Sequence, residues 1–138
     1  MPSGVEPLPG TIANRSPVPS IFIVEDDGLI ALRLQEYLTK SGFDTPDPVA
    51  SGEDAIECLK KSPSPDLILM DVALGGKIDG IETAREIRKV SPIPVIFLTA
   101  HNDAKTLARA QDVGSSGFIV KPFVENEVIS LVRGTLCG

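Results

Sequence analysis

The sequence predicts an α/β domain: a doubly wound parallel sheet covered by helices on both faces. Three observations predict it. Four short apolar runs show no alternation with polar residues, as in strands buried on both sides. Segments with helical period lie between them. The two kinds of segment then alternate, strand then helix, five times over, a pattern that calls for parallel strands joined by right-handed crossovers.

Residues 1–19, "MPSGVEPLPGTIANRSPVP", hold five prolines with almost no charge or periodicity, so they read as a flexible tail or linker, and the folded domain is expected over residues 20–138. The first strand is "IFIV", Ile21 to Val24. A helix follows, in which Ile30, Leu34, Tyr37 and Leu38 share one face until Gly42 stops it. A weaker second strand is expected around Phe43 to Val49, where Pro46 and Pro48 suit an edge position. Ser51 to Lys61 form the next helix, and "LILM", Leu67 to Met70, the third strand. Ile81, Ala84 and Ile87 mark a helical stripe, "VIFL" at Val95 to Leu98 the fourth strand, and Asp103 to Val113 a helix closed by Gly114. "GFIV", Gly117 to Val120, is the last strand, and Val128, Leu131 and Val132 mark the last helix.

Composition narrows the function. A net charge of -6 argues against direct nucleic-acid binding, which wants a basic face, although nucleic acid could be reached through a partner. Cys58 and Cys137 have neither metal-ligand spacing nor the density of a disulfide framework. No apolar run approaches a membrane span, and the first residues lack the pattern of a secretion signal. A cytoplasmic protein with no membrane partner is expected.

In open parallel sheets ligands bind beyond the carboxyl ends of the strands. Here the first run is followed by Glu25, Asp26 and Asp27, "LILM" by Asp71, "VIFL" by Thr99 and "GFIV" by Lys121. Singly each has an ordinary explanation: a helix cap, a turn, a solvated charge. Together they place chemically able groups on one rim. Two carboxylates about 5 Å apart repel by roughly 3 kcal/mol at an effective dielectric of 20, and one lysine does not offset three acids. A hard divalent cation does, and Mg²⁺ prefers one or two carboxylates, several waters and a phosphate. Glu25, Asp26 and Asp71 therefore look like a magnesium cup, with Asp27 turned outward as a cap. A cation flanked by a hydroxyl and an ammonium suggests phosphoryl chemistry, with Asp71 the candidate nucleophile.

With those residues in view, the chain resembles the receiver domain of two-component response regulators. The resemblance is carried by "IVEDD", "LILMD", "DGIE", "PVIFLTA" and "GFIVKPF", over about Ser20 to Cys137. It implies a flavodoxin-like five-stranded sheet in order 2-1-3-4-5 with five helices. It implies that Asp71 is the phosphoacceptor, taking a phosphoryl group from a histidine kinase or histidine phosphotransfer protein. Asp26 would be a direct Mg²⁺ ligand, Glu25 a ligand through water, and the backbone carbonyl of Ala73 a further one. Thr99 and Lys121 would engage the phosphoryl group, and Phe118 would be the switching aromatic. The peptide before Pro122 would be cis. Phosphorylation would draw Thr99 inward and reshape the face made by the fourth helix, fifth strand and fifth helix, which a downstream effector reads. The bland alternative for Phe118 is a permanently buried ring. "DVALGGKIDG" departs from the family pattern: it has Gly75 and Gly76 where a proline is usual, and one extra residue.

Rival readings are weaker. A Mg²⁺-dependent phosphohydrolase with an aspartate nucleophile wants a second aspartate two residues after the first, where Ala73 stands. A flavin phosphate would be repelled by the acidic rim, and no "GxxxxGK" nucleotide loop is present. A receiver that has lost its chemistry would not keep Glu25, Asp26, Asp71, Thr99 and Lys121 together. His101, the only histidine, is expected to be an exposed loop residue. The protein is thus expected to be a phosphoacceptor switch and not an enzyme.

Overall fold

The structure is a computed structural model describing residues 18–100 and 103–137. Most of the expected tail and His101 lie outside the described residues. The chain runs β1 (Ile21–Val24), α1 (Gly28–Lys40), α2 (Gly52–Lys61), β2 (Leu67–Asp71), α3 (Gly80–Arg88), β3 (Val95–Thr99), α4 (Ala104–Asp112), β4 (Gly117–Val120) and α5 (Glu125–Cys137). All strands pair in parallel, β1 with β2, β2 with β3 and β3 with β4. The α/β architecture, parallel sheet and five helices agree with the sequence reading.

The strand count does not. Among the described residues the sheet has four strands in order β1-β2-β3-β4, where five in order 2-1-3-4-5 were expected. The segment expected to be the second strand does lie along the outer edge of β1, but it makes only isolated parallel bridges, Ser20 with Asp44 and Val24 with Val49. At one end the Asp44 N–H donates to the Pro19 carbonyl (2.9 Å) and the Ile21 N–H to the Asp44 carbonyl (2.8 Å); at the other the Val49 N–H donates to Ile23 (3.1 Å) and the Glu25 N–H to Val49 (3.0 Å). Pro46 and Pro48 stand between these ends and have no N–H to donate, so a continuous ladder cannot form.

The absence of polar alternation has a direct structural meaning. Successive strand residues point to opposite faces, and both faces are covered. Ile21, Ile23, Leu67, Leu69, Ile96 and Leu98 pack beneath α1 and α5, against Leu34, Leu38, Val128 and Val132. Phe22, Val24, Ile68, Met70, Val95 and Phe97 pack on the other face, against Ala55, Ile81, Ile87 and Ala110 from α2, α3 and α4. Each fully buried aliphatic side chain contributes about 1.5–3 kcal/mol.

Helix starts follow the capping rules. Asp27, Ser51, Asp79 and Asp103 each accept backbone N–H bonds at the starts of α1 to α4, and Asp79 forms a reciprocal capping box with Glu82. Gly114, at φ +77°, turns the chain out of α4 as expected. Among the described residues no helix is long and apolar enough to cross a membrane.

Candidate functional site

Every core strand delivers a polar residue to the same rim. Glu25 follows β1, Asp71 closes β2, Thr99 closes β3 and Lys121 follows β4; Glu25, Asp71 and Thr99 are buried. Together with Asp26 and Ala73 they line one cavity of about 290 Å³, joined there by Thr106 of α4. The strand register does this work: parallel pairing sets neighbouring carboxyl ends at one level, so residues some fifty positions apart become neighbours.

Lys121 is the hub. Its Nζ donates to Asp71 Oδ2 at 3.3 Å and lies 2.9 Å from Glu25 Oε1. That second contact is a close ion pair without hydrogen-bond geometry, so the buried Glu25 Oε1 has a charge beside it but no hydrogen bond. Its other oxygen accepts the Asp27 N–H at 3.2 Å. Burial pushes the Glu25 carboxyl up to about 7, its contact with Asp71 adds to the rise, and Lys121 and the Asp27 N–H oppose it. Burial alone would lower the Lys121 ammonium, but Glu25 and Asp71 outweigh it and hold its pKa above the usual lysine value.

Asp71 keeps one oxygen toward Lys121, while Oδ1 accepts the Ala73 N–H at 3.2 Å. Asp26, exposed at the mouth, accepts the Gly75 N–H at 3.3 Å. Asp27 is spent on the start of α1: its Oδ1 accepts from Leu29 (3.0 Å) and Ile30 (3.2 Å), the outward cap read from the sequence.

The residues present fit a hard cation. Carboxylate oxygens of Glu25, Asp26 and Asp71 lie within 4.8 Å of one another, comparable with the roughly 4 Å between opposite ligands of an octahedral magnesium ion. The donor set is all oxygen. Glu25 Oε1, buried without a hydrogen bond, is the kind of group that a cation or its water satisfies.

Phe118 lies outside the cavity. It is half-buried on β4, opposite Phe97, with ring centroids 6.4 Å apart and planes 30° apart. The Lys121–Pro122 peptide is cis.

Other contacts in and around the site are not announced by the sequence. Thr106 reaches the cavity from the first turn of α4, and Glu53 of α2 accepts the Lys77 N–H at 2.9 Å. Asp79 accepts from Arg109 of α4 at 2.8 Å. The capping box is detectable in "DGIE"; the Glu53 and Arg109 contacts depend on tertiary placement and leave no local pattern.

Residues 21–133 match the response regulator receiver domain family. The transcriptional regulatory protein AfsQ1 of Streptomyces coelicolor is 37% identical over 119 residues, 86% of this chain and 52% of that protein. The transcriptional regulatory protein PdtaR of Mycobacterium tuberculosis is 33% identical over 125 residues, 91% of this chain and 60% of that protein. The chain thus spans about half to three fifths of these relatives' length. The N-terminal domain of a response regulator/sensory box/GGDEF three-domain protein from Carboxydothermus hydrogenoformans superposes with a TM-score of 0.78 at 36% identity, covering 86% of this chain and 94% of that one.

Proposed function

The chain belongs to the response regulator receiver domain family, and from that premise we propose that it is a phosphoacceptor switch in which Asp71 takes a phosphoryl group from a phosphohistidine. The donor is a histidine kinase or a histidine phosphotransfer protein. A carboxylate oxygen of Asp71 forms the new O–P bond as the N–P bond breaks, and the imidazole leaves with the electron pair. The observation that carries this reading is Lys121, which bridges Asp71 and Glu25 from the far end of the domain.

Asp26, Asp71 and the Ala73 carbonyl, with Glu25 through water, would hold Mg²⁺, which supplies positive charge beside the phosphoryl oxygens. Lys121 would pair with one phosphoryl oxygen once Asp71 carries the acyl phosphate, and the Thr99 hydroxyl would donate to another. Thr99 and Phe97 belong to the same strand, and Phe97 stacks on Phe118. A shift of Thr99 toward phosphate would therefore be felt at Phe118, and a downstream effector would read the change on the face of α4, β4 and α5. Regulation of transcription, named for both relatives, would be an output beyond the receiver itself, whose net charge of -6 does not favour direct contact with nucleic acid. Its setting would be the cytoplasm.

Acetyl phosphate with Mg²⁺ tests the proposal. Intact mass should show one added phosphoryl group on the wild type and none on Asp71→Asn. Equal labelling of the variant would refute the assignment.

A further inference from the structure

Between Asp71 and α3 the backbone sends three alternate N–H groups to three different carboxylates. Ala73 donates to Asp71, Gly75 to Asp26, and Lys77 to Glu53. The first two acceptors belong to the site. The third does not: Glu53 stands in the first turn of α2, and it accepts the Lys77 N–H on Oε2 at 2.9 Å.

The contact is close on its other side as well. Gly76 has φ +138°, and a Cβ there would come within 2.8 Å of Glu53 Oε1. Gly76 is thus suited twice over, by its backbone conformation and by the space the carboxylate occupies. N–H bonds from its own residue first and from Lys77 second hold the Glu53 carboxyl below the usual glutamate range, so it is ionised at neutral pH and the tether is charge-assisted.

We propose that Glu53 is a positioning residue for phosphotransfer, strapping residues 73–77 so that Gly75 orients the Asp26 carboxylate and the Ala73 carbonyl is presented to the divalent cation. The inference rests on the receiver reading above. It gives a loop carrying Gly75 and Gly76 in sequence an anchor on another helix, which would offset the freedom those glycines add. Donors that orient a ligating carboxylate affect metal affinity as well as rate.

The test compares wild type with Glu53→Ala, Glu53→Asp and Glu53→Gln. Mg²⁺ affinity is measured by calorimetry, and exchange of the Gly75 and Lys77 amides by NMR in the metal-free protein. Aspartate keeps the negative charge at the start of α2 but is one methylene too short for the loop; glutamine keeps the reach and an acceptor oxygen. We expect Glu53→Ala and Glu53→Asp to bind Mg²⁺ about three- to tenfold more weakly. Their Lys77 amide should exchange faster at nearly unchanged melting temperature, and Glu53→Gln should restore most of both. Wild-type affinity and exchange in all three variants would overturn the proposal. So would a loss in Glu53→Ala with Glu53→Asp behaving as wild type, which would assign the effect to helix stability. Failure of the wild type itself to bind Mg²⁺ or to accept phosphate would instead strike the receiver reading, and this inference with it.

Discussion

The backbone carbonyl of Asp71 occupies the place where a Cβ on Gly80 would sit. The Gly80 N–H meanwhile donates to Val72 at 2.8 Å, which draws the start of α3 tight beneath the acceptor. The glycine of "DGIE" is therefore a packing requirement of the site.

Gly80→Ala should destabilise the domain by about 1–3 kcal/mol, because backbone on both sides has to give way. Gly134, exposed in α5 with open space where a Cβ would sit, should behave oppositely. Alanine there should add about 0.5–1 kcal/mol by favouring the helix. Urea denaturation of the two variants checks both signs.

Glu25 links stability to pH. Its carboxyl, pushed up to about 7 by burial and by Asp71, binds its proton more tightly when folded than when unfolded, where the ordinary value of 4.5 applies. Between those values the folded state holds the extra proton, so the stability this group contributes is present below pH 4.5 and lost as pH rises to about 7. With EDTA present, the urea midpoint of the wild type relative to Glu25→Gln should fall across that window. A constant difference between the two would contradict the assignment.

Arg88 fastens the end of α3 to the turns that lead into β3 and out of α4. Its guanidinium donates to the carbonyls of Ile93 (2.6 Å), Val113 (3.3 Å) and Gly114 (2.8 Å). Arg88→Ala should cost about 2–3 kcal/mol, since it removes several charge-assisted bonds at once. Arg88→Lys should recover only part of this, having a point charge in place of a planar fork. Thermal melts of the pair would show whether the geometry or the charge matters.

Lys121→Ala should separate acceptance of phosphate from response to it. Asp71 remains as nucleophile, so labelling by acetyl phosphate should stay detectable, while phosphate-dependent binding of a partner should weaken. Full phosphate-dependent binding by this variant would argue against the role given to Lys121.

Much of the fold and site is legible along the chain because parallel sheets make local signals reliable. An apolar run buried on both faces ends where the sheet ends, so the residue after it falls on the rim. The ends of the four runs therefore point to Glu25, Asp71, Thr99 and Lys121, and the structure brings these four together in space. The separate roles of Asp26 and Asp27 come from position: only Asp27 stands one residue before a helix start. What the chain does not announce depends on long-range fit. Pro46 and Pro48 suit an edge strand, yet two missing donors so close together leave bridges and no strand. Glu53 looks like any acid in the first turn of a helix, and nothing local points to a loop twenty-four residues ahead.

The bridged segment outside β1 also governs how copies of this domain can meet. A sheet margin with regular free amides invites another strand to join it, the usual route to runaway assembly. Here that margin is taken at two points, and the chain lying over it offers prolines at positions 46 and 48 instead of donors. Growth by strand addition is hindered on that flank, and among the described residues β4 is the other margin, where edge-to-edge recognition by another chain would have to occur.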